Sequence, residues 1–345
     1  MKAVRLIDVE RIKLVDVEIP KVRDFDVLVK VRAAGVCHTD VHIKRGYVAG
    51  FSIKALGFKL PLTLGHEIAG VIEEVGDKVQ GFRKNDLVVV NPWMGCDSCY
   101  YCKIGENNLC ESPIHLGINL DGGFAEYVRV PHYKYLLRIN NISPEEAAPL
   151  SCSGVTSYRA LRKAELEPSK ILTVIGAGGG LGTMIIQIAK AISGATIIGV
   201  DVKEDALKIA EKSGADHVIN AGERDAVNEI LRITGGKGAD AIIDLVGSER
   251  TLSAYPSALA KRGKYIIVGM KGDEIKYPSG PLIFKEAQFI GSFIGSQSDF
   301  INVVNLAEKG RIKPIVTVIG GLENAEKALE NLEYGRVIGR QILIP

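Results

Sequence analysis

The sequence predicts an α/β protein that joins a β-rich domain to a doubly wound parallel sheet. Short strands rich in Val and Ile, interrupted by Gly, Pro and Asp, fill residues 1–90 and are typical of an antiparallel barrel-like domain. From Lys170 onward, apolar strands alternate with helix-like segments, which predicts a parallel sheet covered by helices on both faces. The 345 residues are enough for two domains with separate cores.

These patterns assign the elements of the first part. We expect strands at AVRLIDV, DVLVKVRAAGV, GVIEEVG, DLVVV and GGFAEYVRVP. Residues 144–166 begin with Pro and acidic residues, so we expect them to be largely helical and to bridge into the second domain.

In the second part, predicted strands and helices take turns. The strands are ILTVIG, ATIIGVD, HVIN, DAIIDLVG and KYIIVG, and the helices are TMIIQIAKAIS, KEDALKIAEKSG, AVNEILRITG and TLSAYPSALAKRG. A last strand near residues 289–293 and a helix at DFINVVNLAEKGR follow. The final GRQILIP reads as a strand with no helix after it, so it is free to return to the first domain.

Composition and charge argue against several classes of protein. Hydrophobic residues make up 46% and charged residues 24% of the chain, as in ordinary globular proteins. The net charge of +2 gives no reason to expect a nucleic-acid or membrane partner. Residues 1–20 carry charges every few positions, unlike a signal peptide. The stretch 171–189 has no charge, but five glycines between 176 and 182 divide it, so we expect no membrane span.

Four of the six cysteines lie within fifteen residues, with the spacing C-x2-C-x2-C-x7-C: Cys96, Cys99, Cys102 and Cys110. This spacing predicts a closed four-sulfur site for a structural zinc ion, which leaves no position for a substrate. Disulfides fit a long chain with few cysteines less well, and thiolates indicate a reducing, cytoplasmic environment. Rubredoxin-like iron stays open, because four sulfur ligands do not by themselves choose the metal.

A glycine-rich loop follows the predicted strand ILTVI and precedes a helix. Its residues are Gly176, Gly178, Gly179, Gly180, Leu181 and Gly182. Glycines let the backbone approach a pyrophosphate at the start of the helix, so the loop predicts a dinucleotide site, although the strict G-x-G-x-x-G register is not met. Asp201 ends the next strand, where a carboxylate binds ribose hydroxyls and repels a 2′-phosphate. NAD is therefore favoured over NADP, while nearby Lys203 leaves NADP open.

Three further ligand candidates remain outside the cysteine cluster. Cys37 lies in GVCHTDVH, His66 lies in GHEIAG, and Cys152 is the last cysteine. Two thiolates and one imidazole with an open fourth position are typical of a catalytic zinc site. Each residue alone is ambiguous, since a buried cysteine or a hydrogen-bonded histidine is the commoner case.

Taken together, these motifs resemble the zinc-dependent medium-chain alcohol dehydrogenases, and the archaeal NAD-dependent members most. The resemblance covers essentially the whole chain and rests on GVCHTDVH, GHEIAGVIEEVG, the four-cysteine segment and the glycine-rich loop in the family's order. It implies a GroES-like catalytic domain at residues 1–153 and 296–345, with a structural zinc lobe at 93–113. It also implies a Rossmann NAD-binding domain at 154–295.

The resemblance also implies roles for single residues of the chemical site. Cys37, His66 and Cys152 would hold the catalytic zinc, with water or Glu67 as a further ligand, and Asp40 would orient His66 through a hydrogen bond. The resemblance also implies a proton path, in which Thr39 contacts the substrate oxygen and His42 is the outer proton acceptor. Two other interpretations stay open: Glu67 pairs with Arg340 without touching the metal, or Thr39 caps a helix that starts at Asp40.

On the cofactor side, the resemblance implies contacts with both halves of NAD. His38 and Arg340 match cationic positions that reach the pyrophosphate, and Thr156, Leu181 and Val268 match positions beside the nicotinamide. His38 and His42 are also compatible with ordinary surface histidines.

The implied activity is reversible hydride transfer between alcohols and NAD, giving aldehydes or ketones, with two zinc ions per subunit. Trp93, Tyr47 and Leu116 are candidate apolar walls that suit primary or secondary hydrophobic alcohols. A homo-oligomer, tetramer or dimer, is implied as well.

Four alternatives remain. A sugar, polyol or amino-alcohol dehydrogenase shares this constellation but needs polar groups for extra hydroxyls. A zinc-free quinone reductase would lack the three ligands. A nucleic-acid-binding zinc ribbon would need a basic lobe, whereas Lys103 is outnumbered by Asp97, Glu106 and Glu111. A purely structural protein would show no turnover.

Overall fold

The computed structural model describes residues 1–271 and 274–345, and it divides into two compact units. Unit 1 consists of Met1–Cys152, Gly295–Gly310 and Pro314–Pro345. Unit 2 consists of Ser153–Ile294 and Arg311–Lys313.

Unit 1 begins with twelve short strands. They are β1 (Lys2–Asp8), β2 (Arg11–Asp16), β3 (Val27–Val36), β4 (Tyr47–Val48), β5 (Phe51–Ser52), β6 (Leu62–Thr63), β7 (Glu67–Val75), β8 (Leu87–Val90), β9 (Trp93–Met94), β10 (Ile114–His115), β11 (Tyr127–Val130) and β12 (Leu136–Arg138). The helices in this stretch are α1 (His38–Lys44), α2 (Tyr100–Lys103) and α3 (Pro144–Ala147). Three 3-10 turns lie at Asn107–Leu109, Tyr133–Tyr135 and Ala148–Ser151.

Unit 2 alternates helices and strands. Its elements are α4 (Ser153–Ala164), β13 (Ile171–Ile175), α5 (Gly180–Ile192), β14 (Thr196–Asp201), α6 (Glu204–Lys212), β15 (His217–Asn220), α7 (Ala226–Ile233), β16 (Ala239–Asp244), α8 (Glu249–Ala254), a 3-10 turn (Tyr255–Ala258), β17 (Leu259–Ile267), α9 (Ser279–Lys285) and β18 (Gln288–Gly291). The chain then returns to unit 1 with α10 (Gln297–Glu308), β19 (Val316–Gly320), a 3-10 turn (Leu322–Asn324), α11 (Ala325–Glu333) and β20 (Arg340–Leu343).

The main sheet of unit 1 has seven strands, in the order β12-β8-β7-β3-β20-β19, with β11 also paired to β3. The pairs of β3 with β7, β11 and β20 are antiparallel, as predicted for this domain. The strand predicted at the C-terminus is β20, and it does return, with Gln341 opposite Val36 of β3. The core under these strands is mainly aliphatic and includes Val29, Ile68, Ile72, Val90 and Leu343.

Among the described residues of unit 2, six parallel strands form one sheet, in the order β15-β14-β13-β16-β17-β18. The chain runs outward from β13 to β15, crosses back, and then runs outward from β16 to β18, as in a doubly wound sheet. The carboxyl ends of β13 and β16 therefore flank the point where the strand order reverses, which is where such sheets bind ligands. The strand expected near 289–293 is β18, at the edge.

One predicted helical segment is interrupted and another differs from the structure. Residues 144–166 are largely helical, as predicted, and consist of α3, a 3-10 turn and α4. The helical structure is interrupted at Cys152, whose φ of −129° and ψ of −69° are not helical. The predicted helix TLSAYPSALAKRG (residues 251–263) is α-helical only as far as Ala254, the last residue of α8 (Glu249–Ala254), and the strand β17 already begins at Leu259. Proline accounts for the ends of α3 and α8, because Pro149 and Pro256 each follow the last residue of one of these helices by two positions and cannot donate a helical N–H bond.

The described helices include none with the length and hydrophobicity needed to cross a bilayer. The apolar stretch 171–189 is divided into β13 and α5, as predicted from its glycines.

Replacing Gly182 with Ala tests the close packing of α5 on the turn that precedes it. A Cβ at Gly182 would lie 2.3 Å from the Gly176 carbonyl oxygen, so the helix must shift. We expect Gly182→Ala to lower the free energy of unfolding by about 1–3 kcal/mol in thermal or urea unfolding. Gly280→Ala is the matched control, because a Cβ there meets no atom within 4 Å. Equal stability of the two variants would contradict this packing.

Candidate functional site

Three ligand atoms from distant parts of unit 1 converge in its interior. Cys37 is the N-cap of α1, His66 immediately precedes β7, and Cys152 lies at the break after the 3-10 turn. Their ligand atoms all lie within 4.8 Å of one another, and all three residues are buried. The two sulfur atoms are 3.9 Å apart. Zn–S bonds of about 2.3 Å in a tetrahedral site place two thiolates about 3.8 Å apart, so the pair fits zinc.

Asp40 joins two of the three ligand segments. Its Oδ2 accepts a hydrogen bond from the Cys37 backbone N–H at 2.9 Å, which completes the capping box of α1. Its Oδ1 lies 3.2 Å from the Gly65 nitrogen and 3.2 Å from His66 Nδ1. The structure thus contains the predicted Asp40–His66 hydrogen bond. It also excludes the alternative that Thr39 caps this helix, since α1 starts at His38 and Cys37 is the cap.

The bond to Asp40 leaves the second nitrogen of His66 available as a ligand. If Nδ1 donates to the carboxylate, Nε2 carries the lone pair that binds a metal. Nε2 is buried and has no hydrogen-bond partner within the described part of the chain. Burial opposes a charge on the ring, but Asp40 and Cys37 together outweigh burial and raise the pKa of His66 well above its usual value. A metal cation competes with the proton for Nε2 and removes that preference.

The two thiols influence each other. The hydrogen bond from Cys152, helped by Arg340 and His66 against the effect of burial, holds the pKa of Cys37 well below its usual range. The same bond and burial raise the pKa of Cys152 well above its usual range. The site therefore favours one thiolate on its own, and a divalent cation is the partner that lets both ionise.

Glu67 forms a buried ion pair with Arg340. The Glu67 carboxylate lies 3.2 Å from Arg340 Nη2, and Arg340 Nη1 donates to the Val36 carbonyl oxygen at 3.2 Å. Burial raises the pKa of Glu67 to about 8, and the Arg340 charge opposes this rise. Gly35, opposite Glu67 in the sheet, makes room for the carboxylate, because a Cβ there would lie 2.0 Å from Oε2. The pairing that the sequence left open is thus present, and Glu67 is outside the three-residue ligand group.

The predicted proton-path residues lie on α1. Thr39 Oγ1 is 3.8 Å from Cys37 Sγ. His42 is three residues further along the helix, and its ring lies 6.3 Å from that of His38. The His38 side chain is exposed and His42 is half-buried.

The predicted pocket residues separate into buried and exposed ones. Trp93 and Leu116 are buried, whereas the side chain of Tyr47 is 60% exposed. The Trp93 ring lies 5.3 Å from His66, and its Nε1 donates to the Ser151 carbonyl oxygen at 2.8 Å. Trp93 therefore contacts one ligand directly and fixes the residue next to another.

Sequence reasoning missed both the Trp93 hydrogen bond and a buried histidine behind it. His115 packs edge-on against Trp93 with ring centroids 5.0 Å apart. Burial lowers the pKa of His115 to about 4, so its ring is neutral at ordinary pH. No sequence signal identifies either feature, because the His115 contact depends on the pairing of β9 with β10, and the Trp93 hydrogen bond depends on the contact of β9 with the 3-10 turn that ends at Ser151.

The four clustered cysteines form a second ligand group. Their sulfur atoms lie within 4.8 Å of one another, and those of Cys99 and Cys110 are 4.0 Å apart. Hydrogen bonds from Ser98 and Cys99 lower the pKa of Cys96 to about 6, while burial raises that of Cys102 to about 12. All six cysteines of the chain are free thiols in the structure. The group fits a closed four-sulfur metal site.

The glycine-rich loop lies between β13 and α5, as predicted. Gly178 and Gly182 are in close contact with neighbouring backbone, whereas a Cβ on Gly179 would meet only one atom, at 3.6 Å. The loop is therefore open above Gly179, where the N-terminus of α5 presents its N–H groups. Asp201, the last residue of β14, accepts a hydrogen bond from the Gly178 N–H at 3.0 Å.

The other predicted cofactor residues of unit 2 also lie near this edge of the sheet. Lys203 is the N-cap of α6, which follows β14. Thr156 precedes Ser157, whose hydroxyl donates to the Leu181 carbonyl oxygen at 3.1 Å. Val268 follows β17, and its N–H donates to the Asp244 carbonyl oxygen at 3.0 Å. Gly176 and Gly180 complete the loop and the first turn of α5.

Comparison with known proteins gives a consistent result. The family model for the alcohol dehydrogenase GroES-like domain matches residues 23–141, and that for zinc-binding dehydrogenases matches residues 180–309. An NAD-dependent alcohol dehydrogenase of Sulfurisphaera tokodaii is 60% identical over all of both chains. The alcohol dehydrogenase of Aeropyrum pernix has a TM-score of 0.92 with 39% identity, and all of both chains is covered. The D-arabinose dehydrogenase of Sulfolobus solfataricus has a TM-score of 0.85 with 35% identity, covering 100% of this chain and 99% of that one.

The chain belongs to the zinc-binding alcohol dehydrogenase family, of the medium-chain type. The family that the motifs resembled is thereby confirmed, together with the fold class of a GroES-like domain and a Rossmann sheet. The predicted enzyme class, a zinc-binding oxidoreductase, is confirmed as well.

Replacing Asp40 with Ala should weaken metal binding at the three-ligand group without emptying the cysteine cluster. The change removes acceptors for Cys37 N–H, Gly65 N–H and His66 Nδ1, so two of the ligands lose their fixed positions. We expect about 10–100-fold weaker affinity for one of two zinc ions, measured by chelator competition. Asp121→Ala is the control, because that exposed carboxylate accepts the Thr63 N–H without contacting either ligand group. Unchanged affinity at both sites in Asp40→Ala would refute the positioning role.

Proposed function

We propose that this protein is an NAD-dependent alcohol dehydrogenase that interconverts primary or secondary alcohols with aldehydes or ketones. The observation that carries the proposal is the buried group of Cys37, His66 and Cys152, whose three ligand atoms leave a fourth position open. When bound, zinc supplies Lewis acidity at the substrate oxygen and NAD supplies the hydride acceptor. The high identity to curated NAD-dependent alcohol dehydrogenases supports this activity.

The three ligands also balance charge. Two thiolates and a neutral imidazole offset the charge of a divalent cation, so the buried site needs no further anion. Glu67 is held by Arg340 at 3.2 Å, and we therefore assign it to this ion pair rather than to the metal. The fourth position is then left to water or to the substrate.

We assign the proton path to Thr39 and His42. They are three residues apart on α1, so they lie on one face of the helix. Thr39 starts near the ligand Cys37, and half-buried His42 continues toward solvent. A hydroxyl and an imidazole can each accept and donate a proton in turn.

Most of the cofactor contacts are assigned to residues of unit 2. The open backbone above Gly179 suits a pyrophosphate, and Asp201 favours the ribose hydroxyls of NAD over the 2′-phosphate of NADP. Thr156, Leu181 and Val268 are assigned to the nicotinamide half, and His38 and Arg340 of unit 1 to the pyrophosphate. The Arg340–Glu67 pair orients that guanidinium.

Substrate preference follows from the apolar residues near the ligands. We assign Trp93, Leu116 and Tyr47 to the walls of the substrate site, which favours hydrophobic alcohols. The likeness to a D-arabinose dehydrogenase makes sugar oxidation the competing activity. Six free cysteines support a cytoplasmic location, and a homotetramer or dimer is the assembly we expect for the family.

The test combines zinc content with turnover of NAD on a panel of alcohols and D-arabinose. Wild type should contain two zinc ions per subunit and reduce NAD with the alcohols. Cys37→Ala should lose one zinc and its activity, because only two ligands remain at the three-ligand group.

Cys102→Ser provides the matched control. It should also lose one zinc and become less stable, since a four-sulfur site that loses one ligand no longer closes the lobe. Full activity of Cys37→Ala would refute the catalytic role of the three-ligand group. Turnover of D-arabinose but not of alcohols would favour the sugar dehydrogenase.

A further inference from the structure

A buried carboxylate lies at the carboxyl end of β16. This strand is the neighbour of β13, which leads into the glycine-rich loop, and the strand order reverses between the two. Asp244 is the last residue of β16 and is fully buried. It has the same place on its strand as Asp201 has on β14, at the carboxyl edge of the parallel sheet. A charge in such a place is costly unless its surroundings satisfy it, so its partners indicate what it does.

The side chain of Asp244 fixes the loop that follows it. Oδ1 accepts hydrogen bonds from the backbone N–H groups of Val246 and Gly247, both at 2.9 Å. Oδ2 accepts the Tyr265 hydroxyl at 2.9 Å, and that hydroxyl also lies 3.0 Å from the Thr251 carbonyl oxygen. Burial and the Asp244 charge raise the pKa of Tyr265, so its phenol remains a donor.

The backbone of Asp244 fixes a second loop. Its carbonyl oxygen accepts the N–H groups of Val268 and Gly269, both at 3.0 Å. The two loops are in close backbone contact at Gly247 and Gly269, since a Cβ on Gly247 would lie 2.0 Å from the Gly269 carbonyl oxygen and a Cβ on Gly269 would lie 2.3 Å from the Val246 carbonyl carbon. One residue therefore sets the shape of residues 245–248 and of residues 268–269.

Both loops lie at the carboxyl ends of β16 and β17. A dinucleotide that binds across the reversal point has its adenosine half over β13 and β14, where Asp201 lies, and its nicotinamide half over the strands that begin with β16. The loop after β16 also borders the glycine-rich loop, because a Cβ on Gly176 would lie 3.5 Å from the side chains of Leu245 and Val246.

We propose that Asp244 is a positioning residue for the nicotinamide half of NAD, which it serves by holding the loops 245–248 and 268–269 in the shape that receives the ring. This inference rests on the proposed use of NAD. Asp244 does so only through other groups, since its own oxygens are all engaged by Val246, Gly247 and Tyr265.

Asp244→Asn tests the proposal in the full-length zinc enzyme. The asparagine amide has the same shape as the carboxylate but lacks the charge that strengthens the hydrogen bonds from the Val246 and Gly247 N–H groups. Its nitrogen, unlike a carboxylate oxygen, cannot accept a hydrogen bond. We expect the dissociation constant for NADH, measured by fluorescence, to rise about tenfold. The dissociation constant for ADP, measured by calorimetry, should stay unchanged, because ADP lacks the nicotinamide half. Zinc content and the KM for alcohol should also stay unchanged.

Asp240→Asn is the matched control. Asp240 lies on the same strand near its amino end, where its carboxylate accepts the Ile171 N–H at 2.9 Å and pairs with Lys170. This variant should lose stability without a change in NADH affinity. If Asp244→Asn binds NADH as wild type does, or loses NADH and ADP affinity equally, the proposal is overturned. If wild type binds NADH but oxidises no alcohol, the proposed reaction is refuted. The comparison of NADH and ADP affinities would still decide whether Asp244 positions the nicotinamide half.

Discussion

The Asp40 carboxylate is the contact on which the three-ligand site depends. It is a local cap, because it accepts the Cys37 N–H three residues earlier, and a long-range contact, because it accepts the Gly65 N–H and holds His66 Nδ1. Two ligands that are distant in sequence are thus tied to one buried charge. A buried carboxylate is stable only when its acceptor positions are filled, so the site and the local fold stabilise each other.

The third ligand is brought in by a break in helical structure. Cys152 lies between a 3-10 turn and α4, and the Trp93 indole holds the carbonyl of the preceding Ser151. The same indole packs against His66. Hydrogen bonds of Asp40 and of Trp93 therefore hold the ligand segments in place on two sides of the site. The metal ion then offsets the repulsion between the two thiolates.

Much of this arrangement could be predicted from the sequence, because its signals are local. The spacing of Cys96, Cys99, Cys102 and Cys110 confines four sulfurs to one short segment, and the glycine-rich loop lies between a recognisable strand and helix. Alternating strands and helices predicted the parallel sheet and the order of its elements. The sequence left the strand at GRQILIP free to return to the first domain, and the structure shows that it pairs with β3 there.

What could not be predicted depends on contacts between distant residues. The break at Cys152 is hidden inside a helix-like pattern, and the strand β17 begins in a segment, ALAKRG, whose composition favours a helix. The Trp93–Ser151 bond and the role of Asp244 arise only when separate loops meet. The sequence shows that Asp201 and Asp244 each end an apolar strand. Only the structure shows that both side chains accept hydrogen bonds from backbone N–H groups of loops at the sheet edge.

The two ligand groups lead us to expect that one chain holds two zinc ions in different ligand sets. X-ray absorption at the zinc edge of the fully metallated protein tests it directly. We expect a mixed first shell, in which a four-sulfur ion and an ion with two sulfurs and one imidazole occur in equal amounts. A spectrum described by four sulfurs alone, from one zinc per subunit, would contradict the account.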